Sequence, residues 1–291
     1  MDATQLRMLV CYYRDVYLRS KDSAYLEVQC GKDATGIDLE MQGDNTGLNI
    51  SSRNRYWSEI TALYWAWKNM GRSDYVGLCS YRRYFNFNSR SKAPVHVIAR
   101  EQAEKVAAID LSIISKIFKN YDIIVPEPYT YAHSIRRVCS MNYVDSDFDL
   151  LEQLVHEMSP EYDDAYRHVF YGTNKMIGHN MFIMPWDRFQ HYCTWVFGIL
   201  LRLEQMIDPS KYPTAQVRVF GYMHEILLGV YIKRHELRQC HSQLTWISDD
   251  QKGFKFNSGF YRLLANVYYY TTRAWAGRRY RHVLSRPGDA E

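Results

Sequence analysis

The stretch DYVGLCSYRRYF, residues 74–85, sets Arg82 and Arg83 between Tyr81 and Tyr84 at the end of an apolar run. Each guanidinium offers a planar fork of donors and keeps its charge, so two in succession suit a diphosphate. A strand that ends at the carboxyl edge of an α/β sheet delivers its last side chains to the crevice where such folds take ligands. Successive strand residues also point to opposite faces. In that case one arginine stacks on Tyr81 or Tyr84 and the other is solvated, and the residue types leave both arrangements open.

Three further groups of residues have chemistry to offer. The loop GDNTGLNISSRN, residues 43–54, places Asp44, Asn45, Asn49, Ser51 and Asn54 just before a helix N-terminus. Free N–H groups and Asx side chains converge there, as a phosphate or a hydroxyl-rich ligand requires, although ordinary turn and cap chemistry uses the same residues. GHNMFIM puts His179 and Asn180 at a strand entrance, and QVRVFGYMHE puts Gln216, Arg218 and Glu225 along one helix. Glu225 can serve as the base for an attacking hydroxyl, or as a buried structural partner of Arg218 or another arginine. His179 reads equally as a core histidine. Glu59, in an aromatic helix, is either an N-terminal charge or a ligand contact.

Metal chemistry finds little support. No D-x-D pair stands near a strand end, and DSDFD at 145–149 opens a helix, where acidic residues complement the dipole. The six cysteines are scattered, with no C-x-x-C and no histidine at zinc spacing, which predicts reduced thiols.

The elements that must position these groups can be read from periodicity. LRMLVCYY predicts a buried first strand, and the Gly- and Asn-rich stretch from residue 31 to 54 a long loop. Ser51 or Asn54 caps a helix running to about Asn69, with Trp57, Ile60, Tyr64 and Trp67 on one face. DYVGLCSYRRYF reads as the second strand, residues 96–120 as helical, and YDIIVPEPYTY as a third strand stopped by Pro126 and Pro128. Two helices broken at Pro160, the strand-like KMIGHNMFIMPW and two long helices follow. Strands alternating with helices predict an α/β sheet covered on both faces, a Rossmann-type arrangement.

Of 291 residues 47% are hydrophobic, enough for a real core, and the 25 Tyr and 7 Trp exceed what a core needs. From Lys252 onward the charge is +6, against −2 for everything before it. That division predicts one domain over residues 1–250 and a basic, aromatic tail over 251–291. With no basic leader and no long apolar run, the chain reads as neither exported nor membrane-spanning. The tail mixes Tyr, Trp and Leu with arginines as an interfacial helix does. Such patches also bind RNA, but the body is not basic.

GDNTGLNISSRNRYWSEITALYWAWKN, then DYVGLCSYRRYF, YDIIVP, GHNMFIM and AQVRVFGYMHEILL, together resemble the bacterial polysaccharide-assembly proteins that share domain of unknown function 4422. These are glycosyltransferases of capsule, exopolysaccharide and O-antigen clusters, galactofuranosyl-transferring members among them. The resemblance spans about residues 7 to 247 and implies a GT-A-like fold using a nucleotide-diphosphate sugar, a hexosyl donor such as a UDP-sugar. It implies donor contacts from Asp44, Asn45, Asn49, Ser51, Asn54, Glu59, Tyr81, Arg82 and Arg83, with the two arginines replacing a divalent metal. Acceptor contacts fall to His179, Asn180, Gln216 and Arg218, and proton transfer to Glu225 or Asp44. No cofactor or metal is expected. The acceptor is a lipid-linked glycan, met in the cytoplasm on the inner face of an anionic membrane through the tail. One departure stands out: the family reads His-Tyr-Arg-Arg where this chain has Ser80. A non-catalytic nucleotide- or glycan-binding protein of the same fold is the rival reading.

Overall fold

A computed structural model describes residues 5–14, 22–87, 94–105, 109–248 and 259–276. In chain order its strands and helices are β1 (Leu6–Tyr12), β2 (Tyr25–Gln29), β3 (Gln42–Gly43), α1 (Asn54–Trp57), α2 (Ile60–Asn69), β4 (Tyr75–Ser80), β5 (Arg83–Asn86) and β6 (Val95–Ile98). There follow α3 (Leu111–Ile117), β7 (Ile123–Pro126), β8 (Tyr129–Thr130), α4 (Ile135–Asn142), α5 (Asp145–Met158) and α6 (Asp163–Tyr171). The last are β9 (Lys175–Met176), β10 (Phe182–Pro185), α7 (Trp186–Leu203), α8 (Val219–Arg234), β11 (Gln239–Ile247) and α9 (Gly259–Ala276).

The central strands are apolar on both faces, and each face feeds its own core. Leu9 and Cys11 of β1 enter one core, with Val28, Val76, Leu78, Val125 and Phe182. Met8, Val10 and Tyr12 enter the other, with Cys79, Ile124 and Ile183. This is the period-2 division of a strand buried on both sides. Helices α1, α2 and α4 to α8 close the first core, and Ile114 of α3 packs in the second. The result is a mixed α/β architecture.

β1 lies parallel between β2 and β4. At β4 the sheet forks: Tyr75–Leu78 run antiparallel to β10, and beyond Ser80 the chain turns back into β5. β11 is a second hub, antiparallel to β5 and parallel to β6 and β7. β8 and β9 form a separate two-stranded ribbon.

Four sequence expectations need correction. DYVGLCSYRRYF is a hairpin rather than one strand: Tyr81 and Arg82 form its turn, and Arg83 opens β5, pairing with Trp246 of β11. That pairing was invisible because QCHSQLTWI is too polar to announce β11, a strand that sequence reading missed. The helix over 51–69 is broken at Ser58, whose φ of 55° lies in the left-handed region. Asn54 Nδ2 donates to the Ser58 carbonyl there at 2.7 Å, and α8 approaches so closely that a Cβ on Gly221 would stand 3.2 Å from Ser58 Oγ. Residues 96–120 are not continuously helical; Val95–Ile98 pair with β11 as β6 before a 3-10 turn and α3. Gln216 and Arg218 precede α8 instead of lying along it.

α9 is the described part of the expected tail; residues 251–258 and 277–291 lie outside the described residues. It packs on β8, with Ala265 and Tyr269 buried beneath it. No helix among the described residues is long and apolar enough to cross a membrane.

Candidate functional site

The site gathers where the β4–β5 turn, the N-terminus of α2, the approach to β10, α8 and β11 converge. Arg83 faces Trp246 across the β5–β11 ladder, and its guanidinium carbon lies 4.3 Å from the centroid of that indole ring. Arg83 Nε is buried without a hydrogen-bond partner among the described residues. Burial pushes the Arg83 pKa down from its ordinary value; Glu59, Glu225 and Tyr129 oppose that, and Arg82 adds to it. Arg82, in the turn, sits 5.5 Å from the Tyr81 ring. The hairpin therefore concentrates positive charge on a half-buried aromatic shelf.

Two carboxylates answer it. Glu225, on α8, has its pKa raised to about 8, first by burial and then by the neighbouring Glu59 charge. Arg83 and the backbone N–H of His179 pull it the other way without winning. At neutral pH Glu225 is therefore mostly protonated and close to its titration point. A carboxyl poised this way is what proton transfer at pH 7 to 8 requires.

The turn before β10 holds both carboxylates. His179 and Asn180 have φ values of 71° and 55°, two consecutive non-glycine residues in the left-handed region. Such a conformation costs of order 1 kcal/mol or more per residue and persists only when its surroundings dictate it. Here they do. The His179 N–H bonds the Glu225 carboxylate, while Asn180 Nδ2 donates to Glu59 Oε1 at 3.0 Å and to the Gly221 carbonyl at 3.2 Å. Gly178 just ahead sits close to the ribbon, since a Cβ there would meet the Tyr129 ring at 3.0 Å.

A buried chain fixes that turn from behind. With both Asn180 amide hydrogens directed at oxygens, its Oδ1 accepts from His224 Nδ1 at 2.7 Å. His224 Nε2 must then accept from the Tyr192 hydroxyl at 3.0 Å. Burial holds the His224 pKa down to about 3, so the ring stays neutral and keeps this tautomer. His179 is different: its Nε2 meets the Tyr129 hydroxyl at 2.5 Å, and its ring stands edge-on to Trp246. Burial and the two arginines push its pKa well below the ordinary value, so it is a neutral imidazole here.

Aromatic rings complete the wall. Tyr143 and Tyr222 lie tilted by 32° with ring centroids 4.7 Å apart, and Glu225, when ionised, raises the pKa of Tyr129, Tyr131, Tyr143 and Tyr222. Aromatic surface beside paired carboxylates and a cationic turn suits a sugar joined to an anion. A hollow of about 460 Å³ lined by Asp74, Tyr75 and Phe118 lies at the opposite end of β4 and shares none of these groups.

Over residues 7–236 the chain matches the family described as domain of unknown function DUF4422. The chain belongs to that family. Its fold is similar to the apo structure of WbbM, a bifunctional glycosyltransferase, with a TM-score of 0.76 and 27% identity over 84% of this chain and 46% of that one. The chain thus spans less than half the length of that protein. No curated protein matches the sequence.

Against this geometry the sequence-predicted residues fall into four places. Glu59, Tyr81, Arg82, Arg83, His179, Asn180 and Glu225 come together. Arg218 stands at the rim, exposed, with its charge reaching Tyr222. The 43–54 loop buries Asp44, Ser51 and Asn54 and spends Asn45 and Asn49 on bonds within the loop region. Asp44 is fully buried and accepts from the Gly31 and Lys32 N–H groups at 2.8 and 3.2 Å and from the Ser51 hydroxyl at 2.5 Å. A general base needs a free lone pair facing substrate, so the geometry withdraws Asp44 as a catalyst and makes it the anchor of this loop. Asn54 is buried on Ser58 and Thr61, Asn49 bonds Gly47 and Ser51, and Asn45 bonds Asp33. Gln216 ties the chain ahead of α8 to the Asn142 carbonyl.

Sequence reading missed Tyr129, His224 and Trp246. Tyr129 follows the Pro-stopped strand in PEPYTY, and His224 adjoins Glu225 in MHE, so both carried a local signal. Trp246 carried none without β11. Among the described residues no three His, Cys, Asp or Glu side chains converge as a metal-ligand set.

Proposed function

We propose that this chain is a glycosyltransferase that moves a hexosyl residue from a nucleotide-diphosphate sugar to a glycan acceptor. The observation that carries the reading is the opposition of Arg83, stacked on Trp246, to Glu225, poised near neutral pH. The similarity to a bifunctional glycosyltransferase supports transferase chemistry in general terms.

In this reading the donor diphosphate lies on Arg82 and Arg83, and the sugar rests against Trp246 and the tyrosine wall. The acceptor hydroxyl attacks the anomeric carbon, the bond from that carbon to the diphosphate oxygen breaks, and the hydroxyl proton passes to Glu225 in its ionised form, the minor form at pH 7 that grows as pH approaches 8. The nucleoside diphosphate leaves with the bonding electron pair, its charge met by the arginines. Glu59, held by Asn180, raises the basicity of Glu225 and is placed to orient a donor or acceptor hydroxyl. His179, neutral and bonded to Tyr129, shapes the acceptor side.

The finer assignments rest on the family resemblance: a GT-A-like fold, a UDP- or galactofuranosyl-type donor, a lipid-linked acceptor of surface-polysaccharide synthesis and a cytoplasmic, membrane-peripheral place. Neutralisation of the donor by arginines without a divalent metal belongs to the same proposal. A thermal-shift panel of nucleotide sugars, followed by assay of nucleoside diphosphate release with and without glycan acceptor, tests it. Binding of one donor class and acceptor-dependent release are expected. Binding without turnover on any acceptor would favour the non-catalytic reading, and no stabilisation by any nucleotide sugar would overturn both.

A further inference from the structure

α9 is turned inside out relative to an ordinary surface helix. The face it presents to the body carries Arg262, Ala265, Asn266, Tyr269 and Arg273. Of these, Arg262 pairs with Glu127, Asn266 accepts from Asn174, and Arg273 donates to the Gly172 carbonyl. The face it presents outward carries Phe260, Leu263, Leu264, Val267 and Tyr270, between 51% and 72% exposed. At 100° per residue these five fall within one stripe. An amphipathic helix buries its apolar face by default. Here polar anchors hold it to the protein, and the apolar stripe is left outward.

The position of the stripe is informative. Asn174 Nδ2 donates both to Asn266 and to the Tyr131 carbonyl, and α9 packs on β8, the ribbon strand that carries Tyr129. Tyr131 also neighbours Glu225, whose charge raises its pKa. One helix diameter, about 10 Å, therefore separates the outward stripe from the ribbon that walls the site.

We infer that the outward face of α9 docks on an anionic lipid surface and holds the mouth of the site against the bilayer. Charge selects this occupant. From residue 252 onward the sequence has eight Lys and Arg residues against two acids, Asp289 and Glu291, and a basic excess in the same stretch of sequence as an apolar helix face is what draws such helices to anionic headgroups. Area argues against a second copy: a stripe roughly 16 Å long and about 10 Å wide is well short of the ~800 Å² per partner of a stable dimer. The docking deepens the transferase reading by naming where its acceptor is met, and that consequence rests on the reading; the docking itself does not.

The test is sedimentation of the full chain with vesicles of phosphatidylcholine alone or mixed with phosphatidylglycerol, compared with the combined variant Leu263→Gln, Leu264→Gln, Val267→Gln. Wild type should partition onto the mixed vesicles, and the variant at least about tenfold less, because burial of each Leu or Val contributes to partitioning. Gln is a good helix former, so melting temperature and stabilisation by nucleotide diphosphate should be unchanged in the variant. The conservative pair Phe260→Leu, Tyr270→Leu should retain binding. Wild type that ignores mixed vesicles, or a Gln variant that binds like wild type, overturns the inference. So does a wild-type dimer that the Gln variant converts to monomer, which would give the face to a second copy. None of these readouts needs turnover, so failure here is distinguishable from failure of the transferase reading.

Discussion

His224 Nδ1 lies 2.7 Å from Asn180 Oδ1, and this contact decides which way the Asn180 amide faces. With Oδ1 committed, the amide nitrogen must serve Glu59 and the Gly221 carbonyl. Orientation thus passes from Tyr192 in the core, through a neutral histidine, to one of the two site carboxylates. His224→Leu should leave Asn180 Oδ1 and the Tyr192 hydroxyl buried without partners, a loss on the order of 2–5 kcal/mol. Urea unfolding measures it; a change below about 0.5 kcal/mol, the scale of an ordinary surface substitution, would mean the chain carries no weight.

Asp44 separates an anchor from a catalyst. Asp44→Asn keeps one acceptor oxygen where the carboxylate now serves two N–H groups and a hydroxyl, so stability should fall by about 1–3 kcal/mol. Turnover of the folded variant should stay within a few fold of wild type. A stable variant with kcat reduced a hundredfold or more would return Asp44 to the catalytic machinery.

The raised Glu225 pKa fixes the sign of a pH effect. A carboxyl whose folded pKa stands near 8, above its ordinary 4.5, binds a proton in the folded state that the unfolded chain has released. Its contribution is fully present below the ordinary value and is lost as pH rises through about 8. Stability should therefore fall across that window, by no more than about 1.4 kcal/mol per pH unit from this group. Glu225→Gln should flatten the slope. An unchanged pH profile of Tm in that variant would place the proton elsewhere.

Arg82→Ala and Arg83→Ala should each weaken nucleotide-diphosphate binding at least about tenfold, since charge-assisted bonds contribute on the order of 1.5–3 kcal/mol. Unchanged affinity in both removes the arginines from the donor site. A chelator should leave activity intact; activity abolished by chelator and restored by manganese would contradict neutralisation by arginine alone.

How far the sequence revealed this arrangement depended on where each signal lay. Buried strands such as β1 and β7 announce themselves as short apolar runs, and Arg82–Arg83 and Glu225 stood out because charge beside apolar runs is costly. The failures came from partners distant in sequence. β11 is polar enough to pass for loop, yet it pairs with Arg83 and supplies Trp246. Asp44 looked like a ligand group because nothing local shows that Gly31, Lys32 and Ser51 consume its oxygens. The break at Ser58 lies where α8 comes close at Gly221, a contact no window of neighbouring residues contains.

If ionised Glu225 takes the proton of the acceptor hydroxyl, Glu225→Gln removes that step. Because Glu225 is mostly protonated at neutral pH, the amide replaces a neutral group of the same shape, and the folded protein should be as stable as wild type or more so at pH 7 to 8. Donor affinity should change little. Turnover should fall roughly 10²- to 10⁴-fold, the usual contribution of a general base. A Gln variant that binds donor and turns over at the wild-type rate would remove Glu225 from proton transfer.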